Sequence, residues 1–412
     1  MFSGRLWRHP DFMKLWTAQG ISAFGARITR EGLPLAAVLT LDATPTQLGL
    51  LAALTMGPGL MVGLLGGGFV DRSRRKRILI GADLVRMAVL MTVPVAAWTG
   101  LLRIEQLYLV AAAVGAASVL FDLADNAFLP SLIDRDDLLE GNSKLGVTDS
   151  VAEIGGPALA GVLFQVLTAP VALAVNAGTY LLSALLLGGI RVREDPEPEP
   201  VAERHWAADL SHGFKAILEQ PLVRPVLPMT IVQTFFGAFF AGLYALFAIR
   251  TLGLTPALLG MTIAVGGIGA LLGAVISPFV VRGLGIGPAI IACTLVSALS
   301  AFLIPLAPAH LVWGTGFMMA AQLVGDAFAV AAIIPGTTLQ QSIIAPRSLG
   351  RVGAIFHVAR GGFGVLGALA GGLLAAQVGV RESLLIAAAG NLVGPLFLLA
   401  SPVRSLRIVP EA

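Results

Sequence analysis

Charge and cysteine are both scarce in this sequence of 412 residues. Charged residues make up 12% of the chain, about half of the roughly 25% that is typical of soluble domains. The single cysteine, Cys293, cannot form a disulfide within the chain. The five histidines and this cysteine show no spacing that would suit a metal ion. These scarcities argue against a soluble domain, a disulfide-rich fold and a zinc site.

Motifs that would indicate an enzyme are also missing. The chain contains no His-Glu-x-x-His, no Gly-x-Ser-x-Gly and no P-loop pattern. We therefore expect no metal, nucleotide or other cofactor, and we expect the protein not to be an enzyme. Because ATP is not expected to be bound, an ion gradient is the predicted energy source for any transport.

Hydrophobic residues account for 56% of the chain and gather in runs of about 20 residues, the length of a membrane-spanning helix. The runs predict an all-α membrane protein with twelve transmembrane helices in two pseudo-symmetric six-helix bundles. The predicted spans are 13–40, 46–70, 78–99, 104–129, 144–167, 170–190, 225–249, 256–281, 288–307, 311–335, 352–377 and 383–400. No cleavable signal peptide is predicted, so the first helix is expected to stay in the membrane.

Basic residues are distributed unevenly between the two sides of the predicted membrane. Twenty of the 27 lysines and arginines lie on the side that holds both termini, three lie on the opposite side, and four lie within spans. The positive-inside rule therefore predicts cytoplasmic termini for a multi-pass protein of the cell inner membrane. Because the basic residues form short clusters between apolar runs, the lipid bilayer is the expected partner and nucleic acid is not.

The longest polar segment divides the chain into three predicted parts. An N-terminal six-helix bundle occupies 1–190, a cytoplasmic linker 191–224, and a C-terminal six-helix bundle 225–412. Within the linker, the acidic and proline-rich residues 194–200 are predicted to be extended, and 206–219 to form a short amphipathic helix on the membrane surface. A docking site for a partner is the alternative interpretation of this segment. The protein is expected to be monomeric.

The two predicted halves resemble each other. In the fourth span Asp122 precedes Pro130, and in the tenth Asp326 precedes Pro335 at nearly the same spacing. Such internal repetition is typical of secondary transporters.

The loop after the second span reads Gly67-Gly68-Phe69-Val70-Asp71-Arg72-Ser73-Arg74-Arg75-Lys76-Arg77. It resembles the signature loop of the major facilitator superfamily, in which a glycine, three residues and Asp-Arg precede a basic cluster. The cations of the cluster are expected to face the anionic inner leaflet. With Ala-Asp-Leu-Val-Arg on the next helix, it is similar to the branch of macrolide-type and enterobactin-type exporters. The resemblance implies the fold given above and a cytoplasmic gate formed by Gly67, Asp71, Arg72, Arg75, Asp83 and Arg86.

A second motif lies in the fifth span, which contains Gly155, Gly156, Pro157 and Gly161. It resembles the glycine-proline motif of the superfamily's antiporters, although its final glycine comes one position late. The proline removes a helix hydrogen bond and the glycines allow close packing, so the motif favours a bent gate helix and export. General helix packing is the alternative.

Ionisable residues within the N-terminal spans are candidates for substrate contact or proton coupling, because charge at membrane depth is costly. Arg27, Arg30 and Glu31 lie on the first span, and Asp122, Asp125 and Asn126 on the fourth. We expect Arg27 or Arg30 to pair with Asp122 or Asp125, and Glu31 or Asp122 to carry an exchangeable proton. A permanently ionised pair that only fixes the helices is the alternative. Asp149 and Glu153 are interpreted as acids at the start of the fifth helix, which favour its dipole.

Polar candidates are sparse in the C-terminal half: Gln233, Gln322, Asp326 and Arg360, with Asp326 and Arg360 as a second possible pair. Phenylalanines of the seventh span form a stripe at helical spacing, which either packs against other surfaces or lines a cavity for hydrophobic substrates.

These features together predict a secondary transporter that exports a small hydrophobic or amphipathic molecule, such as a drug, siderophore or metabolite, by proton antiport with alternating access. Import by proton symport and a membrane sensor without transport are the alternatives.

Overall fold

The computed structural model describes residues 4–65, 69–70, 73–191 and 206–408, and nearly all of them are helical. The helices are α1 (Pro10–Thr40), α2 (Pro45–Leu65), α3 (Arg75–Trp98), α4 (Ile104–Leu132), α5 (Leu138–Val166), α6 (Ala169–Gly188), α7 (Trp206–Glu219), α8 (Val226–Leu246), α9 (Pro256–Leu284), α10 (Ile286–Ser300), α11 (Leu303–Leu306), α12 (Leu311–Ile343), α13 (Pro346–Val378), α14 (Val380–Asn391) and α15 (Val393–Leu399). Short 3₁₀ turns occupy Arg5–Arg8, Arg135–Asp137 and Pro402–Ser405, and a π turn at Phe247–Thr251 continues α8.

Eleven helical segments among the described residues are long and apolar enough to cross a membrane. They are Pro45–Leu64, Arg75–Trp98, Ile104–Leu132, Arg135–Val166, Ala169–Gly188, Val226–Thr251, Pro256–Leu284, Ile286–Leu306, Leu311–Ile343, Pro346–Val378 and Val380–Leu399. The prediction of an all-α membrane protein is confirmed. Helix α1 has 31 residues, which is also long enough, but it carries charged residues along much of its length: Asp11, Lys14, Arg27, Arg30 and Glu31.

Three helices extend well beyond the predicted spans. Helix α5 begins at Leu138 rather than at 144, α13 begins at Pro346 rather than at 352, and α12 continues to Ile343 rather than ending at 335. Pro130 lies inside α4 and Pro335 inside α12. The predicted fourth and tenth spans end at these prolines, whereas neighbouring helices in a membrane protein can satisfy the backbone groups that a proline frees.

Two chain reversals depend on glycine. Gly285 separates α9 from α10 with a φ of 85°, and Gly379 separates α13 from α14 with a φ of 102°. Residues with a β-carbon rarely adopt these angles, so glycine allows each long helix to end within a single residue of the next.

The described residues belong to two compact units. Unit 1 consists of Met1–Ala43, Leu54–Ala202 and Thr255–Gly260. In unit 1, α1 packs against α5 and α6, and α3 packs against α4 and α6. A core of buried residues that includes Leu15, Leu79, Phe121 and Phe128 lies among these helices. This packing fixes the positions of the polar side chains that the helices of unit 1 carry.

Basic residues in unit 1 bind the carbonyl groups at helix ends. Lys14 and Lys76 donate to the backbone oxygens of Gly189 and Ile190 beyond the end of α6, over 2.7 and 2.6 Å. Arg75 donates to the Ala127 carbonyl of α4 over 2.9 Å. The two lysine contacts satisfy carbonyls at the end of α6. The expectation that the basic cluster faces the anionic inner leaflet stays a prediction.

Unit 2 consists of Thr44–Ala53, Glu203–Leu254 and Met261–Ala412. Here α8 packs against α13 and α14, and α10 packs against α12. The short helix predicted at 206–219 is present as α7, and its buried Ile217 joins a core with Val352 and Phe356 of α13. The division of the chain into 1–190, 191–224 and 225–412 stays a prediction, and the predicted extended segment 194–200 lies outside the described residues.

Candidate functional site

Five charged side chains connect α1 and α5 in unit 1, and we call them the α1–α5 charge network. They are Arg27, Arg30, Glu31, Asp149 and Glu153. Arg27 contacts Asp149 through Nη2 at 3.2 Å and Glu153 through Nε at 2.5 Å. Arg30 contacts the other oxygen of Glu153 at 2.9 Å and Glu31 at 3.0 Å. Glu153 is therefore the central acid, because it binds both arginines.

The network differs from the predicted pairing. Arg27 and Arg30 were expected to pair with Asp122 or Asp125 of α4, but the structure pairs them with acids of α5. The interpretation of Asp149 and Glu153 as acids at a helix start is also wrong, since α5 begins at Leu138. These two residues are the ones that the sequence interpretation missed. Their spacing of four residues, which matches the spacing of Arg27 and Glu31, was the available signal.

The glycine-proline motif lies against this network. A β-carbon at Gly156 would lie 2.5 Å from the β-carbon of Arg27, closer than two such atoms can approach. Gly155 faces the ring of Phe24, and Pro157 lies within α5. Gly161 contacts the backbone of the segment Pro256–Gly260, which belongs to the same unit. The motif therefore brings α5 close enough to α1 for the ion pairs to form.

The polar residues of α4 form a second group. Asp125 accepts a hydrogen bond from the amide of Gln19 on α1. Asn126 donates to the backbone oxygen of Asp122 over 2.8 Å. The Asp122 side chain is exposed, and its carboxylate interacts electrostatically with Arg86 and Arg27. Asp122 is thus an exposed carboxylate within the long apolar helix α4.

Asp83 and Arg86 lie in the interior of unit 1. The sequence predicts them on the helix that follows the basic loop, and the structure places them there, on α3, as a fully buried ion pair of 2.6 Å. Their assignment to a cytoplasmic gate stays a prediction. The guanidinium carbon of Arg86 is 4.4 Å from the ring centre of Phe121 and 4.6 Å from that of Tyr180. Cation–π contacts of this kind stabilise a desolvated arginine. The gate residues Gly67, Asp71 and Arg72 lie outside the described residues, so their predicted role is not tested.

The C-terminal candidates do not form one cluster. Asp326 of α12 lies against Gly266 of α9, next to the amide of Gln322. Arg360 of α13 lies 6.0 Å from the ring of Phe356 on its own helix, and Gln233 packs beside Gly394. Pairing of Asp326 with Arg360 stays a prediction.

The phenylalanine stripe of α8 is a packing surface. Gly367 of α13 contacts the backbone of Phe235, Gly371 contacts Phe239, and Gly390 of α14 contacts the ring of Phe236. The three rings also pack on one another, with centres 5.1 to 5.7 Å apart. Of the two interpretations of the stripe, the contacts support packing.

Metal ligands do not gather in the part of the chain that the structure describes, since no three His, Cys, Asp or Glu side chains there form a suitable group. The chemistry of the site is therefore that of carboxylates and guanidinium groups. Such groups can bind protons, cations and polar solutes without a cofactor.

Comparison with known proteins connects this architecture to transporters. The family of transmembrane secretion effectors, MFS_3, matches residues 6–409. Two proteins of Bacillus subtilis (strain 168), each described as an uncharacterized MFS-type transporter, are similar. YfiS is 30% identical over 181 residues, 42% of this chain and 41% of YfiS, and YvqJ is 23% identical over 214 residues, 50% of each chain. The chain thus matches half or less of the length of these curated relatives.

Solved transporter structures share the fold over nearly the whole chain. The nucleoside transporter NupG superposes with a TM-score of 0.78 at 14% identity, over 95% of this chain and 98% of NupG. A bacterial homologue of the iron transporter ferroportin gives 0.74 at 16% identity, over 94% and 98%. At these identities the likeness shows the fold alone. The chain belongs to the MFS_3 family of transmembrane secretion effectors, and it is a membrane transporter of the major facilitator type rather than an enzyme.

Proposed function

We propose that this transporter exports a small hydrophobic or amphipathic molecule in exchange for protons, by alternating access. The observation that carries the proposal is a surplus of acids within the spans of unit 1. Of the charged residues that lie about seven or more residues from both ends of their helices, the carboxylates are Glu31, Asp83, Asp122, Asp125, Asp149 and Glu153, and the cations are Arg27, Arg30 and Arg86.

An ionised side chain at the bilayer centre costs about 2.5–3.5 kcal/mol on insertion scales. The three arginines can neutralise at most three of the six carboxylates. The charge of the remaining carboxylates can be neutralised by protons or by a positive charge on the substrate. Competition between a proton and a substrate for this acid surplus is the physical basis of antiport.

Export is favoured by two further features. The family is described as secretion effectors, and the glycine-proline motif that resembles the antiporters' motif packs directly on the charge network. The same proposal includes membership of the branch of macrolide-type and enterobactin-type exporters and a role in multidrug resistance. It also includes a location in the inner membrane, cytoplasmic termini and a monomeric state.

We also propose that α1 is the twelfth span. At about 1.5 Å per residue, its 31 residues reach about 46 Å, more than the roughly 30 Å of the hydrocarbon core. Its low hydropathy comes from Arg27, Arg30 and Glu31, which bind one another and α5 rather than lipid.

Proteoliposomes loaded with the pH dye pyranine test the function. Three probes are added separately under an imposed proton gradient: ethidium, tetraphenylphosphonium and the macrolide erythromycin. We expect at least one probe to move against the proton flux, and an uncoupler to abolish its movement. Movement in the same direction as protons would support import by symport, and binding without flux would support a sensor.

The variant Asp122→Asn tests the exposed acid of the site. We expect it to lower the initial rate of proton-linked movement by about tenfold. Glu105→Gln is the matched control, because Glu105 is an exposed acid in the first turn of the same helix. Equal rates in both variants would contradict a role for Asp122.

A further inference from the structure

Asp83 and Arg86 form the most deeply buried ion pair among the described residues of the chain. The Asp83 side chain is 0% exposed and that of Arg86 is 2% exposed. Phe121 of α4 and Tyr180 of α6 enclose the guanidinium group with their rings. A substrate cannot reach this pair without moving the helices, whereas a proton needs only a chain of polar groups.

The two oxygens of Asp83 have different surroundings. Oδ1 accepts from Arg86 over 2.6 Å and from the hydroxyl of Ser22 over 3.2 Å. Oδ2 is buried without a hydrogen bond of standard geometry. The hydroxyl of Ser183 on α6 is directed toward the carboxylate, and its Oγ likewise completes no standard hydrogen bond. One carboxylate oxygen of Asp83 thus binds Arg86, and the other faces the hydroxyl of Ser183.

A hydroxyl can serve both charge states of a carboxyl group. Ser183 can donate to the ionised carboxylate of Asp83, and after rotation it can accept from the O–H of the protonated acid. Protonation at Oδ2 therefore leaves no buried donor without an acceptor, which avoids the cost of an unsatisfied buried polar group. The surroundings of Asp83 are suited to both states.

Helices α1, α4 and α6 contribute the groups that surround Asp83 and Arg86. Helix α1 provides Ser22, and α6 provides Tyr180 and Ser183, all of them neutral donors. Helix α4 provides two acids near Asp83. Asp125 interacts electrostatically with Asp83 and Asp122, and Asp122 interacts electrostatically with Arg86 and Arg27. Arg86 is therefore the cation shared between the Asp83 carboxylate and the acids of α4.

We propose that Asp83 is the proton-binding group of this transporter, and that Arg86 transmits its charge state to Asp122. When Asp83 is ionised, it holds the Arg86 guanidinium. When a proton binds at Oδ2, the attraction between Asp83 and Arg86 is lost, and the positive charge of Arg86 is available to Asp122 and Asp125. The positive charge then lowers the affinity of Asp122 for a cationic or polar substrate. Proton and substrate thus compete without sharing an atom.

This inference rests on the proposed antiport, but its main test needs no substrate. Purified protein in lipid nanodiscs is titrated with acid, and the carbonyl stretch of protonated carboxyl groups is followed by infrared difference spectroscopy. We expect native protein to show a band that the Asp83→Asn variant lacks and the control Glu105→Gln retains. A complete native band in folded Asp83→Asn protein would overturn the proposal.

A second variant keeps the proposal testable if Asp83→Asn protein does not fold. Removal of one partner from a buried ion pair is strongly destabilising, so Asp83→Asn protein is first checked by circular dichroism. Ser183→Ala leaves the ion pair intact and removes only the hydroxyl. We expect it to shift the midpoint of the same infrared band by about one pH unit, the size expected for one hydrogen bond to a charged group. An unchanged midpoint in Ser183→Ala would contradict the proposed geometry even where Asp83→Asn protein does not fold.

Transport separates this inference from the proposed function. In proteoliposomes, we expect Asp83→Asn protein to exchange ethidium for ethidium more slowly than native protein, because the Arg86 charge stays available to Asp122, and we expect the dependence of its rate on a proton gradient to fall by about tenfold or more. Native protein without any proton-linked transport would contradict the proposed function, whereas the infrared titration would still test the proton site. Native-like proton coupling in Asp83→Asn protein would contradict the inference alone.

Discussion

At the scale of single residues, Glu153 is the acid on which the α1–α5 charge network depends. It contacts both Arg27 and Arg30, whereas Asp149 contacts only Arg27. The side chain of Asp149 is 65% exposed and that of Glu153 is 41% exposed, so solvent screens the Asp149 contact more strongly. The two acids lie on the same helix and therefore form a matched pair for substitution.

We expect Glu153→Gln to destabilise the protein by about 1–2 kcal/mol and Asp149→Asn by less than about 0.5 kcal/mol. The difference follows from the number of arginines that each acid binds. Thermal unfolding of both variants in one detergent measures it as a difference in Tm. Equal shifts for the two variants would show that the number of arginine contacts does not determine stability here.

The sequence predicts which residues are charged within the membrane but not which of them pair. Asp122 and Asp125 on α4 and Asp149 and Glu153 on α5 present acids at similar helical spacing. Their choice of partner depends on the rotation of each helix about its axis, which is set by contacts such as that of Gly156 with Arg27. A single sequence contains no measure of that rotation.

At the scale of helices, the close approach of α1 and α5 depends on Gly156. We expect Gly156→Ala to push the helices apart and to lower stability by about 1–3 kcal/mol, the usual cost of overpacking. The control is Gly146→Ala on the same helix, because nothing lies within 4 Å of a β-carbon at that position. Measurement of Tm for both variants gives the comparison, and a smaller fall for Gly156→Ala than for Gly146→Ala would exclude steric packing as its role.

The linker helix α7 provides a second test at this scale. A β-carbon at Gly213 would lie 2.6 Å from the backbone oxygen of Arg351 on α13. We expect Gly213→Val to detach α7 from α13 and to raise the rate of amide hydrogen exchange in α7 by at least about tenfold.

Lys215→Ala is the control for this substitution. Lys215 is 75% exposed and its contact with Glu219 is 3.8 Å long, a surface pair of little energetic value. We expect native exchange rates in this variant. Unchanged exchange in Gly213→Val protein would show that the docking of α7 does not depend on this contact.

Helix positions follow closely from the sequence, whereas helix ends do not. The hydrophobic runs predict every helix from α2 to α6 and from α8 to α10, because lipid imposes a minimum apolar length. The start of α5 at Leu138 is hidden by its polar first turns, from Glu140 to Lys144, which resemble a loop in composition. The continuation of α12 past Pro335 depends on packing with other helices, and composition carries no information on it.

At the scale of the whole molecule, the positive-inside count leads to a topology that can be tested within unit 1. Helix α4 separates the turn at Leu101 from the segment Arg135–Asp137. Arg103 is the only basic residue in the loop between α3 and α4, whereas Arg135 follows α4 on the predicted cytoplasmic side, to which twenty of the 27 lysines and arginines are assigned. With cytoplasmic termini, Leu101 faces the outside and Asp136 the cytoplasm.

Labelling of intact cells with a membrane-impermeant maleimide tests this topology. Cys293→Ala provides a cysteine-free background, and Cys293 itself is buried. In this background we expect Leu101→Cys to be labelled in intact cells, and Asp136→Cys only after permeabilisation, because both native side chains are exposed. The opposite pattern would place the termini outside. In either orientation, exchange with inward-moving protons would carry the substrate outward, so that result would overturn the predicted topology while leaving the proposed antiport to be decided by the flux measurement.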